Sequence, residues 1–190
     1  MKYWQPNELL AVLAEAKKVS ARNHCLILLA YKHGLRASEL CALTVRDIQN
    51  GRLDCKRLKG SLHTNRPLES DANLLLDEHK ALAAWLRERG DVGVHELFTT
   101  RLGKGMTRWA VRDIFEDAAF AAGLERGRRH PHCAKHTLGR LAYKAGVGLL
   151  DMQQLLGHRD IKATAVYASV GQDEAHAKAK SAMASVFPAA

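Results

Sequence analysis

The sequence predicts a mainly α-helical fold with one small antiparallel β-sheet near its middle. Three observations carry that reading. Apolar residues recur at helical spacing through most of the 190 residues. The period changes only around Asn50-Gly51, the strongest short hairpin signal. Helix-stopping and helix-starting residues such as Gly34 and Pro131 punctuate the periodic segments.

Taken in order, Asn7 is positioned to cap a first helix whose stripe is Leu9, Leu10, Val12 and Leu13. A second helix spans Ala21 to His33, carries Leu26, Ile27, Leu28 and Leu29, and ends at Gly34 in a left-handed cap. A short helix covers Ser38 to Leu43. Thr44–Gln49 and Arg52–Leu58 read as strands, Lys59-Gly60 as the next turn, and Asn65–Leu68 as a third strand. The remainder reads as helix near Ala72–Arg89, Arg108–Ala122, Pro131–Ala145, Leu150–Leu156, Ile161–Tyr167 and Asp173–Val186.

Composition narrows the class. A hydrophobic share of 47% is ordinary for a soluble globular chain, and no apolar run is long enough to cross a bilayer. The start, Met1 to Pro6, lacks the apolar stretch of a secretory signal, so a cytoplasmic protein without a membrane partner is expected. The net charge of +9 favours a polyanionic partner, nucleic acid first. Cys25, Cys41, Cys55 and Cys133 form no C-x-x-C pair and read as free thiols in a reducing compartment.

Four segments invite a functional reading. Arg36, between Gly34 and a helix start, can aim its planar fork at a phosphate, with Glu39 nearby to pair with it. Lys59, at a hairpin tip, can reach into a groove and act as a general acid. His132 and Lys135, three apart, share a helix face. His132 and His136 have zinc-ligand spacing, but no carboxylate stands between them, so no metal is expected. Gly157-His158 makes a turn before a short helix that carries Tyr167. Singly, each has a bland reading: a surface ion pair, a solvated turn lysine, a half-buried tyrosine. Tyr3, Tyr31 and Tyr143 fit that last description.

Together, the order Arg, Lys, His-x-x-Lys-His, Leu-Gly-His and then a tyrosine nine residues beyond His158 resembles the tyrosine recombinase (phage integrase) family. The likeness runs from Gly34-Leu35-Arg36-Ala37-Ser38-Glu39-Leu40 to Tyr167, and is nearest the short stand-alone recombinases of fimbrial-switch type. It implies that family's catalytic-domain fold over residues 1–190, with 171–190 a C-terminal helix or tail and no N-terminal DNA-clamping domain. It implies a site-specific enzyme that cuts and rejoins double-stranded DNA without metal, ATP or other cofactor. Tyr167 would be the nucleophile and form a 3′-phosphotyrosyl link. Arg36, Lys135 and His158 would hold the phosphate, with Arg36, Lys59 and Lys135 touching DNA. Lys59 would protonate the leaving 5′-oxygen. His132 would assist proton movement near the tyrosine, and Glu39 would orient Arg36. Self-association into a dimer or tetramer on DNA, close to the nucleoid, is also implied.

Lys135 departs from the family, which carries arginine there. The charge stays, the bidentate fork is lost, and a lysine's pKa moves when buried. Reduced or specially tuned cleavage is therefore expected. The alternative is a DNA-binding regulator with weakened catalysis. A histidine-rich metal-dependent nuclease is disfavoured, because carboxylates are scarce around the histidines.

Overall fold

A computed structural model describes residues 1–57, 61–168, 180 and 183. Along the chain come α1 (Pro6–Val19), α2 (Ala21–Lys32), α3 (Ala37–Ala42), β1 (Ile48–Gln49), β2 (Arg52–Cys55) and β3 (Thr64–Pro67). They are followed by α4 (Glu78–Arg89), α5 (Arg108–Ala121), α6 (Pro131–Lys144), α7 (Leu149–Leu156) and α8 (Lys162–Ala165). The expected helical fold with one small sheet is what forms. The helix expected over 173–186 lies outside the described residues, apart from helical Lys180 and Met183.

Local side-chain chemistry sets where elements start. Gln5, not Asn7, caps α1: its backbone N–H donates to Glu8 (2.7 Å), and Pro6 takes the first helical position. Arg36, not Ser38, precedes α3, with its N–H donating to Glu39 at 2.8 Å. Thr44–Gln49 is not one strand. Asp47 accepts from the Thr44 backbone N–H (2.7 Å) and hydroxyl (2.9 Å), so Val45–Asp47 closes as a 3-10 turn. Residues 72–77 are not helical either. Asp71 accepts from the Asn73 N–H and Asn73 from the Leu75 N–H, and α4 begins only after Asp77 caps it through the Lys80 N–H.

The sheet is antiparallel in the order β1-β2-β3, with Ile48 opposite Leu53 and Cys55 opposite Thr64. Asn50 and Gly51 both take positive φ, +52° and +68°, the turn that matches strand twist.

α2 forms the centre: Asn23 to Ala30 are all buried, and α1, α4 and α6 pack around it. Trp4 closes one side. Its ring lies 6.1 Å from Phe115, its indole N–H donates to the Arg128 carbonyl, and its backbone N–H donates to the Thr137 hydroxyl. A second, smaller apolar cluster joins α6, α7 and the end of α8 through Ala142, Met152, Leu156 and Tyr167. All four cysteines are free. No helix among the described residues is long and apolar enough to cross a membrane.

Candidate active site

The site is built where two helices end. α2 stops at Gly34, which turns left-handed at φ +58° as only glycine does freely. Its carbonyl accepts from Arg57 Nη1 and from Lys135 Nζ, each at 3.0 Å. Two residues on, the Arg36 guanidinium, one-third exposed, donates to Glu39 (3.1 Å) and to the Ser61 hydroxyl. The Arg57 side chain is wholly buried. It donates to Glu39 (3.1 Å), to the His33 carbonyl (2.5 Å) and to the Thr64 hydroxyl (3.2 Å). Glu39 thus holds two arginines at 1% exposure. Burial alone would raise its carboxyl. The Arg36 backbone N–H, with Arg57, Lys135 and Arg36, outweighs that and holds it below its ordinary value.

Lys135 does not share an open face with His132. His132 is exposed, whereas Lys135 is 4% exposed, because its long stem runs inward to bridge two helix ends. Besides Gly34, Nζ donates to the Leu156 carbonyl at the end of α7, at 2.7 Å. Burial, with Arg57 and Arg36 nearby, pulls its ammonium down to about 7.

Gly157-His158 follows α7. The Leu62 N–H donates to the Gly157 carbonyl (2.9 Å), and Ser61 pairs with His158 as an isolated bridge. The hairpin arm is thereby tied to the turn. Lys59 itself lies outside the described residues. His158 Nδ1 bonds the Thr164 hydroxyl at 3.0 Å, and burial followed by Lys135, Arg36 and Arg57 pulls the imidazole down to about 4.

Tyr167 is buried, at 2% exposure. The His158 ring stacks on it at 6.5 Å and 13°. The tyrosine lies along α6 and is gripped at three levels. Arg140 donates to its carbonyl at 3.1 Å. Gly139 makes room for the ring, and His136 Nδ1 meets its hydroxyl at 2.9 Å. The hydroxyl therefore points toward the N-terminal end of α6, where His132 stands. Burial pushes the phenol up to about 12.

Arg36, Glu39, Lys135, His158 and Tyr167 thus come together. Sequence reasoning missed Arg57, His136 and Arg140 as parts of the site. Arg57 carried one signal, its place two residues before Lys59. His136 carried only its zinc-ligand spacing and its place beside Lys135, and Arg140 carried no signal. Among the described residues, no three His, Cys, Asp or Glu side chains converge as a metal site.

Comparisons with known proteins give the family and the fold. The phage integrase family matches over residues 2–174. The type 1 fimbriae regulatory protein FimE of Escherichia coli K12 is 36% identical over 153 residues, which is 77% of this chain and 74% of that protein. The tyrosine recombinase XerC of Lactobacillus leichmannii is 28% identical over 165 residues, covering 83% of this chain and 54% of its own. In fold, the XerA recombinase superposes with a TM-score of 0.77 at 20% identity, covering 100% of this chain and 66% of that one. The XerH recombinase bound to its difH substrate gives 0.76 at 24% identity, covering 94% and 54%. The chain thus spans about half to two-thirds of the Xer-type proteins.

Proposed function

Because the chain belongs to the phage integrase family, we propose that it is a site-specific recombinase that cuts and rejoins double-stranded DNA with Tyr167 as nucleophile. One observation carries the reading. Arg36 and Arg57 bond Glu39, Lys135 from α6 reaches the Gly34 carbonyl beside them, and the His158 ring, which feels all three charges, stacks on Tyr167.

The chemistry follows from these groups. Tyr167 Oη attacks the scissile phosphorus, its bond to the 3′-phosphate forms, and the bond to the 5′-oxygen breaks. Lys59 gives that oxygen its proton. Retaining the phosphoryl group as an ester lets the reversal reseal the strand without ATP. Arg36 offsets charge on the nonbridging oxygens, where donors preorganised in a water-poor site count most. Lysine has three N–H donors. Two of those on Lys135 hold Gly34 and Leu156, which leaves one for phosphate. Arg57 acts through Glu39 and the two carbonyls, fixing the loop that aims Arg36. The basic charge draws DNA in, as residues 1–190 carry a net +9. Pairing of protomers on DNA and a nucleoid-associated, cytoplasmic location complete the proposal.

A second reading has one observation in its favour: Tyr167 is buried and hydrogen-bonded away from solvent. In that reading the chain binds DNA as a regulator and does not cut it. Incubation with a nicked suicide duplex in EDTA separates the two. A recombinase gives a covalent protein–DNA band. A regulator retards the duplex and leaves no such band.

A further inference from the structure

The family motif marks His132 for proton handling, yet a different histidine touches the nucleophile. His136 is one turn further along α6, and its Nδ1 lies 2.9 Å from Tyr167 Oη. The two rings are 5.9 Å apart and tilted by 55°, and His132 follows in line, 6.3 Å from His136. His158 is no rival acceptor through Nδ1, which bonds the Thr164 hydroxyl. We infer that His136 is a further catalytic residue whose Nδ1 takes the phenolic proton as Tyr167 attacks the phosphodiester. The inference rests on the recombinase reading above.

The protonation states allow the step, with the imidazole a weak base until the phosphodiester arrives. The groups facing His136 are His132 and Lys135 on its own helix, His130 just before that helix, and the chain's N-terminal ammonium. Burial first, and then these charges, pull the imidazole down to about 4. It is neutral at physiological pH and free to accept. Tyr167, pushed up to about 12 by burial, keeps its proton until a base removes it. The phosphodiester anion, arriving among Arg36 and Lys135, adds the negative charge that favours the imidazolium once it forms.

The step balances. The Oη–H bond breaks and an Nδ1–H bond forms, while Oη bonds to phosphorus and the 5′-oxygen leaves with a proton from Lys59. On rejoining, the 5′-hydroxyl attacks, its proton returns to Lys59, and Nδ1–H reprotonates Oη. His132, nearer the solvent, is then the neighbour that screens or relays the imidazolium charge.

The test is the first-order rate of covalent adduct formation on a nicked suicide duplex, at pH 6 to 9. Wild type, His136→Asn and His136→Ala are compared, with DNA affinity measured alongside. General-base catalysis contributes about 10²–10⁴-fold, so both variants slow by that order near neutral pH while binding DNA normally. Their deficit shrinks as pH rises and hydroxide substitutes for the base. Added imidazole restores part of the His136→Ala rate. Variants as fast as wild type, or faster, would overturn the inference, the latter by making His136 a latch on the tyrosine. A loss that neither pH nor imidazole changes would also overturn it, as the mark of a structural role. A wild type that forms no adduct would overturn the recombinase reading, and this inference with it.

Discussion

Gly139 and Tyr167 fit together so closely that a Cβ at position 139 would lie 2.6 Å from the tyrosine's Cζ and Cε1. A glycine inside α6 weakens the helix by about 1 kcal/mol relative to alanine, and the docked ring is the reason one stands there. Tyr167 is thereby stored in the small cluster of α6, α7 and α8, apart from the main core.

Gly139→Ala is therefore expected to evict Tyr167. Overpacking costs about 1–3 kcal/mol, which exceeds the gain in helix propensity. The melting temperature falls by a few degrees, since about 1 kcal/mol moves a domain of this size by roughly 2–4 °C. Nitration of Tyr167, slow in the wild type at 2% exposure, becomes fast. An unchanged nitration rate would show that the ring does not depend on this notch.

Arg57 joins the carbonyls that end α2 to Glu39, with its side chain at 0% exposure. Removing one partner of such a buried pair costs about 3–5 kcal/mol. Arg57→Met is expected to lose stability on that order in urea unfolding. Arg57→Lys recovers only part of it, because one ammonium cannot reproduce the planar fork that serves four acceptors. A lysine variant as stable as the wild type would remove the fork from this account.

If Lys135 holds the phosphate, the rate is expected to depend on pH. Its ammonium titrates near 7, so its charge is largely present at pH 6 and largely gone by pH 8.5. A guanidinium stays charged throughout. Lys135→Arg should match the wild type at pH 6 and form adduct about tenfold faster or more at pH 8.5, the range set by that shift. A ratio that stays flat across this window would mean that the charge of Lys135 does not serve the phosphate.

Much of this was legible in the sequence, and the rest was hidden for physical reasons. α2, α5 and α6 stand where apolar periodicity, Gly34 and Pro131 put them, because their own residues decide those boundaries. α4 starts late because Asp71 and Asn73 bond the backbone in competition with the helix. In the site, Arg36 and Tyr167 could be picked out only through the ordered motif, since each alone is an ordinary residue. The burial of Arg57 could not be read, because its acceptors belong to a helix end more than twenty residues earlier. Nor could the sequence say which histidine meets Tyr167. That is fixed by how the α8 segment docks on α6, across 31 residues of chain.

The central claim is that Tyr167 carries the DNA. The direct measurement traps the adduct on a nicked suicide duplex, trims it with nuclease and maps the tryptic peptides by mass. The account predicts a phosphonucleotide on the peptide Ala163–Lys178, localised to Tyr167, and no adduct from Tyr167→Phe. A nucleotide on any other residue, or an adduct that survives Tyr167→Phe, would contradict it.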